Sequence, residues 1–147
     1  MNSSIEIETW LRNYLKHNHA VAGTVHLRGA EQLELQAAVN IPPKVIDAIR
    51  LVPKGRGMAG LAWERNAPVS TCNLKNDNSG DVRPGAKAVD ANAAVAMPIH
   101  DENGEIRGIV GVAYMGEREM DDHELERLKK EAESLPLITV SHSGTLK

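Results

Sequence analysis

Three groups of residues have types and spacings that could do chemistry: the glycines of Gly55-Arg56-Gly57-Met58-Ala59-Gly60, the thiol of Cys72, and the charged set Asp77, Asp81, Arg83 and Lys87. The glycines satisfy G-x-G-x-x-G, a spacing that lets backbone N–H groups approach a pyrophosphate, and Asp77 follows at a distance suited to a ribose contact. That chemistry needs a buried strand directly before the first glycine, inside a βαβ unit. Here the preceding segment reads as helical, Pro53 interrupts the approach, and hairpins follow. The glycines are therefore assigned to a turn and to close helix packing. The run also lacks the Gly-Lys-Ser/Thr ending of a phosphate-cradling loop.

Cys72 is the only cysteine in 147 residues, so no intrachain disulfide and no dithiol redox cycle can form. It lies in the strand-like run Val69 to Leu74, on the face it shares with Ser70 and Leu74, where a lone thiol acts as a small hydrophobe. The six histidines form no metal-binding spacing. His17 and His19 are two apart and diverge on a helix, and His123-Glu124 lacks the second histidine of a zincin motif. His26, His100 and His142 stand alone, and all six are read as solvated or core-edge side chains. Arg83, set between Gly80 and Pro84-Gly85 on a long polar loop, is suited to recognising a carboxylate or phosphate.

The elements that must position these groups follow from periodicity. Ser3 and Glu6 have capping-box spacing, and Ile7, Trp10, Leu11, Tyr14 and Leu15 recur at helical period, predicting a helix over 4–17. From Val21 to Arg28, and again from Gln32 to Val39, the period is two, predicting a hairpin with one solvated face whose second strand is an edge. Pro42-Pro43 opens a short helix carrying Val45, Ile46 and Ile49. The glycine turn then leads into a helix bearing Met58, Leu61 and Trp63, which Asn66 and Pro68 stop. Lys75 to Ala91 is a polar loop too long for a simple turn, hence mobile or functional. Asn92–Ile99 and Ile106–Met115 are apolar on both faces and are joined by the hairpin signal Asn103-Gly104. Asp121 and Glu124 cap a closing helix striped by Leu125, Leu128, Ala132 and Leu135, which ends before Pro136.

The bulk composition limits the function classes. With 41% hydrophobic and 25% charged residues and a formal charge of -3, the chain has the make-up of one globular domain and no basic field for nucleic acid. Phe is absent and only Trp10, Trp63, Tyr14 and Tyr114 are aromatic, too few for a base-stacking platform. The opening MNSSIEIETW has no basic or apolar leader region, and no stretch approaches the roughly 18 apolar residues of a membrane span. The expectation is a soluble, cytoplasmic protein that engages neither nucleic acid nor membrane: one α+β domain over 1–137, with a tail over 138–147.

Taken in order, three segments resemble the GAF domain family of sensory and regulatory modules: Lys54 to Val69, the pair Ala93–Ile99 with Glu105–Met115, and the closing Met120–Leu128. The resemblance covers about residues 3–135. It implies a profilin-like central sheet of five or six antiparallel strands, with the first and last helices on one face and the short helices and long loop on the other. The loop-roofed face would hold a ligand. The positions that correspond here are Met58, Leu61 and Trp63 from the helix after the glycines, Cys72 and Asn73 from the next strand, Asp81 and Arg83 from the loop, and Met97 from the sheet.

The chain departs from several members of that family. It lacks the Asn-Lys, Phe, Asp-Glu pattern of cyclic-nucleotide binders, the bilin-attachment signature of phytochromes, and the several cysteines of the free-methionine-sulfoxide reductases. The reading is thus a non-enzymatic module that binds a small intracellular molecule and signals through its terminal helices as a homodimer, to a separate signalling protein where one exists. The sequence names neither ligand nor cofactor. Two other readings are a dimerisation or docking module with a vestigial pocket, resting on the apolar stripes of the terminal helices, and a redox enzyme centred on Cys72.

Overall fold

The computed structural model describes residues 3–71, 93–115 and 121–136. The elements run α1 (Ser3–His17), β1 (Ala22–Arg28), β2 (Gln32–Val39), α2 (Pro43–Ala48), β3 (Leu51–Pro53), α3 (Gly57–Arg65), β4 (Val69–Thr71), β5 (Ala93–His100), β6 (Ile106–Tyr114) and α4 (Asp122–Ala132). The strands form one six-stranded sheet in the order β3-β2-β1-β6-β5-β4, with every neighbouring pair antiparallel. This is the expected α+β architecture. The loop Lys75–Ala91 and the expected tail lie outside the described residues.

Alternation along the strands divides the interior into two faces. On one, Val25, Leu27, Val95, Met97, Ile99, Val110 and Val112 meet Ile7, Leu11, Tyr14 and Leu15 of α1 and Leu128 and Ala132 of α4. The terminal helices are also bonded to each other. The Tyr14 hydroxyl donates to the Leu128 carbonyl at 2.8 Å, and the Trp10 indole N–H donates to Ser134 Oγ at 3.1 Å. Burial pushes the Tyr14 phenol pKa up, so this donor stays protonated. Asp121 caps α4, its carboxylate accepting from the Glu124 backbone N–H at 2.8 Å as the spacing predicts.

The opposite face carries α3, whose Ala62 and Trp63 pack with Leu33, Val52, Val69, Ala96 and Ile109, and a second group in which Val45 of α2 meets Ala22 and Ala113.

Two expectations for the first hairpin are corrected here. β2 is not an edge, because Leu51–Pro53 pairs with Gln32–Glu34 and makes β3 the outermost strand. Nor is β1 half-solvated: it lies between β2 and β6, and Ala22 and His26 are buried on the face expected to be wet. The short helix expected after Pro42-Pro43 is α2, but the strand β3 intervenes between it and the glycines. It is three residues long and antiparallel to its neighbour, so no βαβ unit results and the dinucleotide reading stays excluded.

Candidate functional site

The site begins with the backbone between β3 and α3. Gly55 and Gly57 adopt φ of +87° and +67°, a region that L side chains rarely enter, and they turn the chain sharply out of the sheet edge. The Arg56 N–H donates to the Pro53 carbonyl at 3.2 Å, and the Gly55 N–H to the Gly60 carbonyl at 2.9 Å. Gly60 then presses on β3 so closely that a Cβ there would stand 2.5 Å from the Pro53 carbonyl oxygen. The three glycines thus fold the start of α3 back against the strand it came from. The pattern that suggested a nucleotide fingerprint is the hinge of a pocket wall.

On the other side, the paired prolines place α2 across the sheet, with Pro43 in its first turn. Its Val45 is buried and its C-cap residue Ile49 is half-buried. Between these two short helices and the sheet lies a cavity of about 220 Å³. Its floor is made of small residues of β1, β5 and β6, including Ala22, Thr24, Ala94, Ala96, Gly111 and Ala113. Its walls include Ile41, Val45 and Ile49 from α2 and its flanks, and Met58 and Ala59 from the first turn of α3. Small floor residues leave the space that larger side chains would fill. Gly111 has a specific reason to lack a side chain: a Cβ would come 2.9 Å from Thr24 Oγ1.

Polar groups in the lining are few. Arg56, the exposed N-cap residue of α3, contributes a guanidinium side chain, and no side chain caps that helix start. Thr24 contributes a hydroxyl. His26, 2% exposed, holds its Nε2 2.8 Å from the Ile49 carbonyl oxygen, while its Nδ1 is buried with no hydrogen-bond partner among the described residues. A carbonyl only accepts, so Nε2 carries the proton and donates. Burial lowers the imidazole pKa against the opposing effect of that bond, and the ring is neutral at pH 7. Such a cavity can hold a small, largely apolar molecule, with a cation and a hydroxyl also in its lining.

The expected site residues separate in space. Met58 lines the cavity. Leu61 and Trp63, one turn or more further along α3, do not. Trp63 is packed into the neighbouring apolar cluster, with Arg28 Cζ and Lys54 Nζ 5.9 and 5.6 Å from its ring centroid. Met97 is corrected: it is fully buried on the opposite face, with its sulfur 3.9 Å from the Tyr14 hydroxyl. The strand alternates, and Ala94 and Ala96, not Met97, face the cavity. Cys72, Asn73, Asp81 and Arg83 lie outside the described residues. His26, expected as a solvated or core-edge side chain, is instead buried among the residues that line the cavity; the available signal is its even spacing with Ala22 and Thr24, which puts all three on one face.

A second polar cluster joins α3 to the far helix. Asn66, the C-cap of α3, adopts φ of 51° in the left-handed region and has its Oδ1 2.7 Å from Nε2 of His100. His100 presents its backbone N–H at 2.9 Å and its Nδ1 at 3.0 Å to the carboxylate of Glu133, just past α4. Arg107 donates to the carbonyls of His100, Glu133 and Leu135 at 2.9 to 3.1 Å, satisfying acceptors that a helix end leaves open. Among the described residues no group of three or more His, Cys, Asp or Glu could hold a metal ion, and no helix is long and apolar enough to cross a membrane.

Comparisons with known proteins place the arrangement. A family model described as GAF domain matches residues 9–134. Among solved structures, the GAF domain of an Acinetobacter phosphoenolpyruvate-protein phosphotransferase superposes with a TM-score of 0.70 at 12% identity, covering 89% of this chain and 78% of that one. The type II free methionine-R-sulfoxide reductase of Thermoplasma acidophilum gives a TM-score of 0.67 at 15% identity, covering 89% and 86%. A form of Staphylococcus aureus NreA mutated in its nitrate binding site gives 0.63 at 15% identity, covering 82% and 96%. At these identities the likeness is one of fold. The sequence has no match among curated proteins.

Proposed function

We propose, on the premise that this chain belongs to the GAF domain family, that it is a non-enzymatic sensory or regulatory module whose ligand occupies the cavity beneath α2 and α3. One observation carries the reading. Side chains of the described residues leave a cavity of about 220 Å³, over a floor that includes Ala22, Thr24, Ala94, Ala96, Gly111 and Ala113. A vestigial pocket would be expected to close on its own side chains, since interiors pack densely where nothing else is to be accommodated. The size suits a small metabolite and not a nucleotide. The neighbours named for nitrate binding and for free methionine-R-sulfoxide reduction lend the fold a precedent for small polar ligands, and the ligand here is of that order of size.

The signal leaves through the terminal helices, which serve as a homodimer contact in the cytoplasm or as the docking surface for a separate signalling protein. Supporting this, Asn66, His100 and Glu133 form a hydrogen-bonded chain from the helix that walls the cavity to the end of α4. The non-enzymatic reading rests on the single cysteine, Cys72, which has no resolving thiol in the chain.

Thermal shift against pooled metabolites tests the proposal, because a ligand at 100 times its dissociation constant adds about 2.7 kcal/mol. The expected result is a stabilising pool whose effect disappears in Ala94→Leu, which fills the floor. Stabilisation by no pool, or an equal response in that variant, overturns it. Turnover of free methionine-R-sulfoxide with dithiothreitol, lost in Cys72→Ser, would replace it with an enzymatic reading.

A further inference from the structure

Arg56 is held at its backbone and untied at its head. It sits between Gly55 and Gly57, whose positive φ angles set the turn from β3 into α3. Its N–H donates to the Pro53 carbonyl at 3.2 Å, and its own carbonyl accepts from the Gly60 N–H at 3.0 Å. The side chain is exposed and makes no hydrogen bond or ion pair among the described residues. Other arginines are engaged: Arg12, Arg28, Arg50 and Arg127 each lie beside a carboxylate, and Arg107 donates to backbone carbonyls. Arg56 lines the cavity next to Met58 and Ala59, and the exposed Leu51 lines it too, so the cavity opens to solvent beside this turn. No Asp, Glu or Lys is among the described lining residues and His26 is neutral, so Arg56 alone gives the cavity its charge.

We infer that the cavity binds a small monocarboxylate with a compact branched-alkyl or aryl body, its carboxylate paired to the Arg56 guanidinium at the mouth. This deepens the ligand-binding reading above and rests on it. A guanidinium presents a planar fork that a carboxylate meets with two parallel N–H···O bonds. The apolar body then displaces water from the alanine floor. A dicarboxylate of the same length would leave its second charge unpaired against that floor, which is costly. The cavity therefore selects one negative charge, at one end of the molecule.

The test compares 3-methylbutanoate with 3-methylbutanamide and benzoate with benzamide, pairs matched in shape that differ in charge, with acetate as the headgroup alone. Binding to the full chain is followed by chemical-shift titration at pH 7 and low salt. The two larger acids should bind about tenfold or more tighter than their amides, as a charge-assisted pair provides. They should exceed acetate by a similar factor, because acetate leaves the floor wet. Since Arg56 is exposed, the preference for acid over amide should shrink as salt is added. In Arg56→Met, which keeps the length and removes the charge, acid and amide should become equal, and Arg56→Lys should restore part of the difference. If acids and amides bind the wild type equally and Ala94→Leu abolishes both, the cavity reading stands and the role of Arg56 is overturned. Acids that bind no better than acetate, or that keep their preference in Arg56→Met, overturn it too. If none of the four larger fragments binds at millimolar concentration while a metabolite pool stabilises the chain, this inference alone falls; if no pool does so either, both fall.

Discussion

The amide oxygen of Asn66 and Nε2 of His100 lie 2.7 Å apart, joining the left-handed cap of α3 to the end of β5. Because His100 in turn holds the Glu133 carboxylate, the contact relays the position of a cavity wall to the base of α4. Asn66→Gly keeps the left-handed backbone, which glycine adopts freely, and removes only the side chain. Its folding stability should fall by about 1 kcal/mol, in urea midpoints, the net value of one lost hydrogen bond. The reading of His100 as a relay adds a second expectation: ligand-induced shifts in α3 should persist while those in α4 disappear.

Glu133 should lose more than Asn66. Burial raises its pKa, but the backbone and ring bonds from His100, with Lys129 nearby, outweigh that effect and hold the carboxyl below its usual value. A depressed carboxyl adds stability that is present above its unfolded pKa and lost as pH falls through the folded one. The predicted outcome is that Glu133→Gln flattens stability against pH on the acid side of about 4.5, measured by urea unfolding from pH 6 to pH 3. An unchanged profile would show that the pairing contributes nothing.

His26 predicts a different window. Its folded pKa is lowered by burial from the ordinary 6.5. Above 6.5 both states are neutral and stability is highest; below it the unfolded chain takes up a proton that the folded chain refuses. Stability should therefore decline as pH falls below 6.5, by at most about 1.4 kcal/mol per unit for one proton. His26→Gln should remove this part of the slope. A wild-type midpoint that is level from pH 7.5 to 5.5 would contradict the neutral, dry imidazole.

Glycine requirements differ along the turn. Gly57→Ala meets an unfavourable positive φ and should cost about 1–2 kcal/mol. Gly60→Ala drives a Cβ against the Pro53 carbonyl and the Gly55 backbone. These are backbone atoms with nowhere to yield, so the cost should reach about 1–3 kcal/mol and α3 should shift off β3. The distinguishing measurement is ligand affinity, which Gly60→Ala should reduce further than Gly57→Ala.

The two methionines on opposite faces give the plainest check of the sheet's orientation. Met97, fully buried under Tyr14, should cost about 2–5 kcal/mol on truncation to alanine and leave the cavity intact. Met58, half-buried in the cavity wall, should cost less and alter fragment binding. The reverse pattern in denaturation and titration would mean that the faces have been exchanged.

These two residues also show where the sequence stops informing. Ala93 to Ile99 is apolar at every position, so its period of two separates Met97 from Ala96 without saying which of them faces which layer. That choice was made by α1 and α4, which meet Met97 from far along the chain. The three residues of β3 are too few to show a period, so β2 read as an edge and β1 as half-wet until tertiary pairing covered them. The order of elements apart from β3, the capping of α4 by Asp121, the stop at Asn66 and the family were all legible, because each is written in local spacing. The cavity was not. It exists because α2 and α3, separated in sequence by a strand and a glycine turn, come to rest over small residues of three other strands, and His26 acquires its orphan nitrogen only when that packing removes it from water.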